Sequence, residues 1–264
     1  MRLRPARLDD GFRCPGYQNL WGAPPLVRRA DFADRHHFDP PSATKALPLS
    51  ACQSKLPNSA ILERPPMTGM FPATSMPDRD WWEALWPDPS GLLLSLGVEP
   101  GMTALDLCCG DGYFTAPLAK IVSGRVYALD LDPEMIVAAK AEVKQLGVSV
   151  LKWIVADASE VAELIPEKID FALIANTFHG VPDQPALVKA VARTLKPRGL
   201  FALVNWHRLP REQTTVLGQP RGPRTEMRMS PEAVAAVLEA TGFRLLRMVD
   251  LPPYHYGAVF EHKG

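Results

Sequence analysis

From residue 78 onward the chain alternates short, unbroken apolar runs with stretches of helical periodicity. Thr103 to Cys108, Arg125 to Leu129, Val148 to Val155, Ile169 to Ala175 and Leu200 to Asn205 each predict a strand. None alternates strictly between apolar and polar positions, as a strand wetted on one face would, so burial on both faces is expected. Between them the pattern predicts helices over Phe114 to Val122, over Asp132 to Leu146, and over Asp183 to Leu195. Asp132 with Pro133 supplies a cap and first-turn signal, Gly147 a stop, and Pro197 ends the third helix. Ahead of the first strand, Asp78 or Asp80 can cap a short helix carrying Trp81, Trp82 and Trp86, and Pro89 to Leu96 reads as a second, closed by Gly97. Near the far end Ser230 and Pro231 start a helix that Gly242 ends, and Phe243 to Asp250 with Tyr256 to His262 predict a final strand pair. Strands alternating with helices of this length imply an α/β fold with a parallel sheet covered on both faces.

Residues 1 to 66 break this regularity. They hold 10 of the 27 prolines and ten Lys or Arg against six Asp or Glu, a local charge of +4. The Pro-Pro pairs at 24–25, 40–41 and 65–66 interrupt any long element, so this stretch is expected to be a disordered Pro/Arg-rich extension, with the domain proper over 67–264. Met67, Met70 and Met76 mark its end, and the plain expectation is that the natural product starts at one of them. The rival reading is an arm that folds on a partner.

Composition narrows the partners. The 29 basic and 29 acidic side chains cancel, which removes the broad attraction to phosphate backbones, so no nucleic acid is expected. No run of about 18 apolar residues is present, so no membrane span is expected. Four cysteines, Cys14, Cys52 and the adjacent pair Cys108 and Cys109, fit neither a zinc spacing nor a secreted disulfide framework, and a reducing cytoplasm is the default.

The chemistry gathers at the carboxyl ends of the strands, where parallel α/β sheets bind ligands. The first strand delivers Asp106 and then Cys108-Cys109-Gly110-Asp111-Gly112-Tyr113. Gly110 and Gly112 allow a tight turn and close approach of a ligand, and a helix N-terminus follows. A dinucleotide fingerprint needs a third glycine where Thr115 stands, and a pyrophosphate would be repelled by Asp106 and Asp111. A ligand with a positive amino group would be attracted. The second strand ends in Asp130, placed to accept hydrogen bonds from the vicinal hydroxyls of a ribose, and the third in Asp157-Ala158, suited to an adenine edge.

Across residues 78 to 262 the sequence resembles the class I methyltransferases that use S-adenosylmethionine. The resemblance is carried by Ala104-Leu-Asp-Leu-Cys-Cys-Gly-Asp-Gly112, by Ala128-Leu-Asp-Leu-Asp-Pro-Glu-Met135 and by Ala156-Asp-Ala158. It implies a Rossmann-like, mostly parallel seven-stranded sheet with an antiparallel last strand and helices on both faces. It also implies S-adenosylmethionine as cofactor, with Asp106 and Gly110 facing its methionine part, Asp130 the ribose, and Asp157 and Ala158 the adenine, while Cys108, Gly112, Leu131 and Asn176 complete the expected cofactor-binding set. Cys108 departs from the pattern, standing where a first glycine is common. Asn176-Thr-Phe-His179 replaces the Asn-Pro-Pro-Tyr type of stretch, and no Pro-Cys nucleophile is present, so a small-molecule acceptor is expected.

Methyl transfer from a sulfonium is an in-line displacement that needs positioning and, for some acceptors, a proton acceptor. His179, His207 and His255 come from three segments on the acceptor side and are the candidates for that role, in that order. No metal is expected, since the three imidazoles show no ligand spacing. The polar loop from His207 to Met229 holds Arg208, Arg211, Arg221, Arg224 and Arg228 against Glu212 and Glu226, and could clamp an anionic acceptor or form a solvated lid. Trp81, Trp82 and Trp86, at i, i+1 and i+5, are not expected to share one face. Two other readings stand beside the transferase: a non-catalytic module that binds the cofactor, and a nicotinamide-dependent oxidoreductase.

Overall fold

The computed structural model describes residues 79–264; the expectations for the front extension and for Asp78 lie outside them. Seven strands form the main sheet: β1 (Ala104–Leu107), β2 (Val126–Asp130), β3 (Lys152–Val155), β4 (Ile169–Ala175), β5 (Leu195–Trp206), β8 (Phe243–Leu251) and β9 (His255–His262). A separate two-stranded hairpin pairs β6 (Thr215–Val216) with β7 (Gln219–Pro220). The sheet order is β3-β2-β1-β4-β5-β9-β8. The pairs among β1 to β5 are parallel, while β9 runs antiparallel to both β5 and β8. The Rossmann-like sheet with a reversed last strand is thus present, and the order reverses between β1 and β4.

Successive residues of a strand feed opposite cores. Leu105, Leu107, Tyr127, Leu129, Phe201 and Leu203 pack on one side of the sheet. Ala104, Val126, Ala128, Ala202 and Val204 pack on the other. Both faces are dry, which is why these strands lack a polar alternation.

The helices α1 (Arg79–Leu85), α2 (Pro89–Ser95), α3 (Thr115–Ile121), α4 (Pro133–Gln145), α5 (Val161–Leu164), α6 (Gln184–Thr194) and α7 (Pro231–Glu239) cover those faces. Caps set their starts. Asp88, Asp132, Asp183 and Ser230 each accept a backbone N–H from the first turn, with Pro next in line after Asp88 (Pro89), Asp132 (Pro133) and Ser230 (Pro231). Asp80 falls inside α1 rather than at its cap.

Three elements differ from the sequence expectation. β3 is half as long as predicted, beginning at Lys152. β5 begins at Leu195 rather than Leu200, because Leu195 pairs with Ile169 ahead of an irregularity that carries Pro197 past the ladder. The long polar loop is not featureless: Leu217 and Gly218 both take positive φ (51° and 75°), which turns the chain into the β6–β7 hairpin.

Candidate functional site

The turn after β1 is knotted to the end of β2. Cys108, Gly110 and Gly112 all have positive φ (60°, 55° and 87°). A Cβ on Gly112 would lie 2.8 Å from the Cα of Ala139, so the second glycine lets the turn sit directly on α4. Asp130 ties the two strand ends together: its Oδ2 accepts the Gly110 N–H at 2.8 Å and its Oδ1 the Asp132 N–H at 2.9 Å. Leu131, between the two, is half-buried. Burial raises the Asp130 carboxyl above the usual carboxylate range, against the pull of these backbone donors.

Asp106 is buried beneath the turn and accepts a hydrogen bond from Thr115 Oγ1 at 2.6 Å. Burial first, then the charges of Asp130 and Asp111, push its carboxyl up to about 7, with the Thr115 bond opposing. The residue that replaces a third glycine therefore serves the first acid, a role that sequence spacing did not reveal. Burial likewise pushes the Cys108 and Cys109 thiols far above neutrality, so neither is a thiolate nucleophile.

At the end of β3, Asp157 Oδ1 accepts from Ser159 N at 2.8 Å and from Ser159 Oγ at 2.7 Å, capping a short 3₁₀ turn that starts at Ala158. At the end of β4, Asn176 takes φ of +57° and its Oδ1 is buried without a hydrogen-bond partner. An orphaned acceptor suits a ligand that donates a hydrogen bond.

The three histidines have different surroundings. His179 lies on the 3₁₀ turn after β4, and burial followed by the charge of Arg228 lowers it to about 4. His207 follows β5, half-exposed, with Nε2 3.8 Å from Asp250 Oδ1 and its ring 5.2 Å from that of Tyr256. His255 is not on an open rim. It starts β9 in register with Trp206, is fully buried, and has neither ring nitrogen hydrogen-bonded. Burial and the charges of Arg228 and His207 hold it well below 6.5.

The tryptophans correct the helical-face expectation. Trp81 stacks on Trp82 at 4.5 Å and Trp82 on Trp86 at 5.3 Å, and all three are buried. Trp86 meets the His255 ring edge-on at 4.5 Å and Phe114 at 5.6 Å, while Trp206 lies 4.0 Å from His255. Tyr113 joins this group to the glycine turn: its hydroxyl donates to the backbone oxygens of Trp86 and Trp82.

The arginine-rich loop is built, not free. Arg228 is buried; its Nε donates to Pro223 O, Nη1 to Leu209 O, and Nη2 to Thr214 Oγ1 and Arg221 O, all between 2.9 and 3.1 Å. Its guanidinium sits 5.0 Å over Trp206, and Arg211 donates to Gly222 O. Gly222 packs on the Trp206 ring so closely that a Cβ would lie 2.7 Å from it. Arg228 therefore staples the loop instead of presenting an open fork.

A parallel sheet whose first three strands end in acids around a glycine turn is the arrangement of a nucleoside-binding α/β protein. Comparison with known proteins agrees and is narrower. Residues 105–203 match the family described as Methyltransferase domain. The chain is 33% identical over 106 residues to the demethylmenaquinone methyltransferase of Bacillus cytotoxicus, covering 39% of this chain and 44% of that protein. It is 30% identical over 120 residues to the 2-phytyl-1,4-naphtoquinone methyltransferase of Trichormus variabilis, covering 44% and 52%. The chain thus spans about half the length of the curated relatives it matches. A solved SAM-dependent methyltransferase from Aquifex aeolicus superposes with a TM-score of 0.59 at 28% identity, over 70% of this chain and 93% of that one. Residues 105–203 thus match a methyltransferase domain, and the fold is shared with a solved S-adenosylmethionine-dependent methyltransferase. Among the described residues no helix is long and apolar enough to cross a membrane.

Proposed function

We propose that the chain transfers the methyl group of S-adenosylmethionine to a small-molecule acceptor, and that the acceptor is neutral or anionic rather than cationic. The carrying observation is the ring of acids at three adjacent strand ends, closed by the orphaned Oδ1 of Asn176. Asp106 and Asn176, with the backbone of Cys108, Gly110 and Gly112, would hold the cationic methionine part. Asp130 and Leu131 would hold the ribose, the Asp130 oxygens keeping lone pairs beyond those used on Gly110 and Asp132. Asp157 and Ala158 would face the adenine.

When bound, the cofactor supplies an electrophilic methyl on a sulfonium. The chain's own contribution is to align the acceptor and keep water out, which the indole wall of α1 and the loop on Trp206 support. His255 and His179 are neutral at physiological pH, so each can accept a hydrogen bond from an acceptor X–H. His207, beside Asp250, stands where a proton could leave toward solvent. The charges of Arg221 and Arg228 argue against a cationic acceptor.

Calorimetric titration with S-adenosylhomocysteine, followed by incubation of the labelled cofactor with a low-molecular-mass cell extract, tests this reading. Saturable binding and label transfer to a small molecule are expected. Binding without transfer would leave a cofactor-binding module, and no binding would end the proposal.

A further inference from the structure

The two acids that close the glycine turn are held in unlike ways. Asp130 takes backbone N–H groups from Gly110 and Asp132, donors that do not depend on a side chain. Asp106 is buried, and among the described residues the hydrogen bond to its carboxyl comes from Thr115 Oγ1 at 2.6 Å. Thr115 is itself fully buried and is the first residue of α3, so this bond ties the start of that helix to β1. The other ionisable groups acting on Asp106 give it no support. Asp130 and Asp111 are acids and oppose its ionisation, and burial keeps the Cys108 and Cys109 thiols protonated. On either side, β2 and β4 set the apolar Ala128 and Leu173 in register with it. A buried carboxylate needs donors to carry its charge, and here one neutral hydroxyl is the donor.

We infer that Thr115 is a positioning residue for the cofactor, its hydroxyl holding the Asp106 carboxyl in the charged form that an ammonium group requires. The ammonium group rests on the methyltransferase reading; the hold on Asp106 rests on the bond between two buried side chains. Burial, followed by the two neighbouring acids, brings Asp106 to about 7 even with that bond in place, so its loss carries the midpoint above neutrality. The cofactor then enters only by displacing a proton from Asp106 to solvent. Every pH unit by which the midpoint rises lowers affinity about tenfold in the range below it. Asp130 is insured against the same failure by its backbone donors, which leaves Thr115 as the side chain on which the charge of this edge depends.

The test uses the full chain and two readings: the pH profile of S-adenosylhomocysteine affinity, and a carbon NMR titration of the aspartate carboxyls in the ligand-free protein, with Asp106→Asn identifying the resonance. Thr115→Val removes the hydroxyl at nearly constant shape. It is expected to raise the Asp106 midpoint by about one pH unit and to weaken S-adenosylhomocysteine about tenfold at about pH 6, the loss closing by about pH 9. Thr115→Ser, which returns the hydroxyl without the methyl, is expected to restore both readings. In an Asp106→Asn background, Thr115→Val should leave the pH profile as it was. Thermal unfolding reports that each variant is folded, and Thr115→Ala repeats the deletion should the valine variant fail to fold. An Asp106 midpoint that is the same with and without the hydroxyl, a loss of affinity equal at every pH, or no recovery with serine overturns the inference and leaves Thr115 a packing residue. Failure of the native protein to bind S-adenosylhomocysteine overturns the methyltransferase reading and the cofactor role with it, whereas the carboxyl titration still decides whether Thr115 sets the charge of Asp106.

Discussion

The two halves of the sheet's carboxyl edge solve opposite problems. Over β1, β2 and β3 the polar groups are mostly paired within the chain: Asp130 takes two backbone N–H groups, Asp106 the Thr115 hydroxyl, and Asp157 caps its own turn. Over β4, β5 and β9 buried groups are left unpaired, among them Asn176 Oδ1 and, within a wall of rings, the His255 imidazole. The first half is preorganised by short-range contacts, so little must move to receive a ligand. The second carries a stability cost that a ligand can relieve.

The strongest way to break this contrast is to disturb the preorganised half. Gly112→Val places a side chain against the α4 backbone at a positive φ and should cost about 4 kcal/mol of stability together with cofactor affinity, read by thermal unfolding and calorimetry. A variant that melts like the native protein would show the turn to be more yielding than argued. Next, Arg228→Met removes four hydrogen bonds that staple the 208–229 loop and should cost about 3 kcal/mol, with earlier proteolysis of the loop but unchanged affinity for S-adenosylhomocysteine. Loss of cofactor binding in step with loop opening would dissolve the division into two halves.

Asp130→Ala is expected to weaken S-adenosylhomocysteine by about 2 kcal/mol, and unchanged affinity would sink the ribose assignment. Per single step, the smallest effect is a pH dependence. Asp106 titrates near 7 in the folded protein against 3.8 ordinarily, so the folded state holds its proton through that window, and the group's contribution to stability falls as pH rises from about 4 to 7. A cationic amino group beside it reverses the preference and expels the proton. Affinity for S-adenosylhomocysteine should therefore rise up to about tenfold per pH unit below 7 and level off above, with proton release at pH 6 seen as buffer-dependent heat. Asp106→Asn should flatten the profile.

The same division explains what could be read from sequence. Strands β1, β2 and β4, the caps Asp132 and Ser230, and the acids at the strand ends are local: a run of apolar residues or a cap-proline pair carries its own signal. The ring wall is not local. Trp81, Trp206 and His255 meet because β9 inserts beside β5 in a register that sets His255 opposite Trp206, and no spacing along the chain encodes that pairing. The expectation that the three tryptophans diverge failed because α1 ends at Leu85, so Trp86 is free of the helical period, and the indoles are buried by stacking rather than by sharing a face. The role of Thr115 was hidden for a related reason: a threonine nine residues beyond Asp106 signals nothing until the turn folds it back.

Tyr113 connects the two halves, its hydroxyl fastened to α1 while its backbone belongs to the glycine turn. The protein thereby carries an intrinsic optical gauge. Any shift of that turn would be handed to stacked indoles, so their ultraviolet emission is the readout to follow, with no attached dye and no turnover.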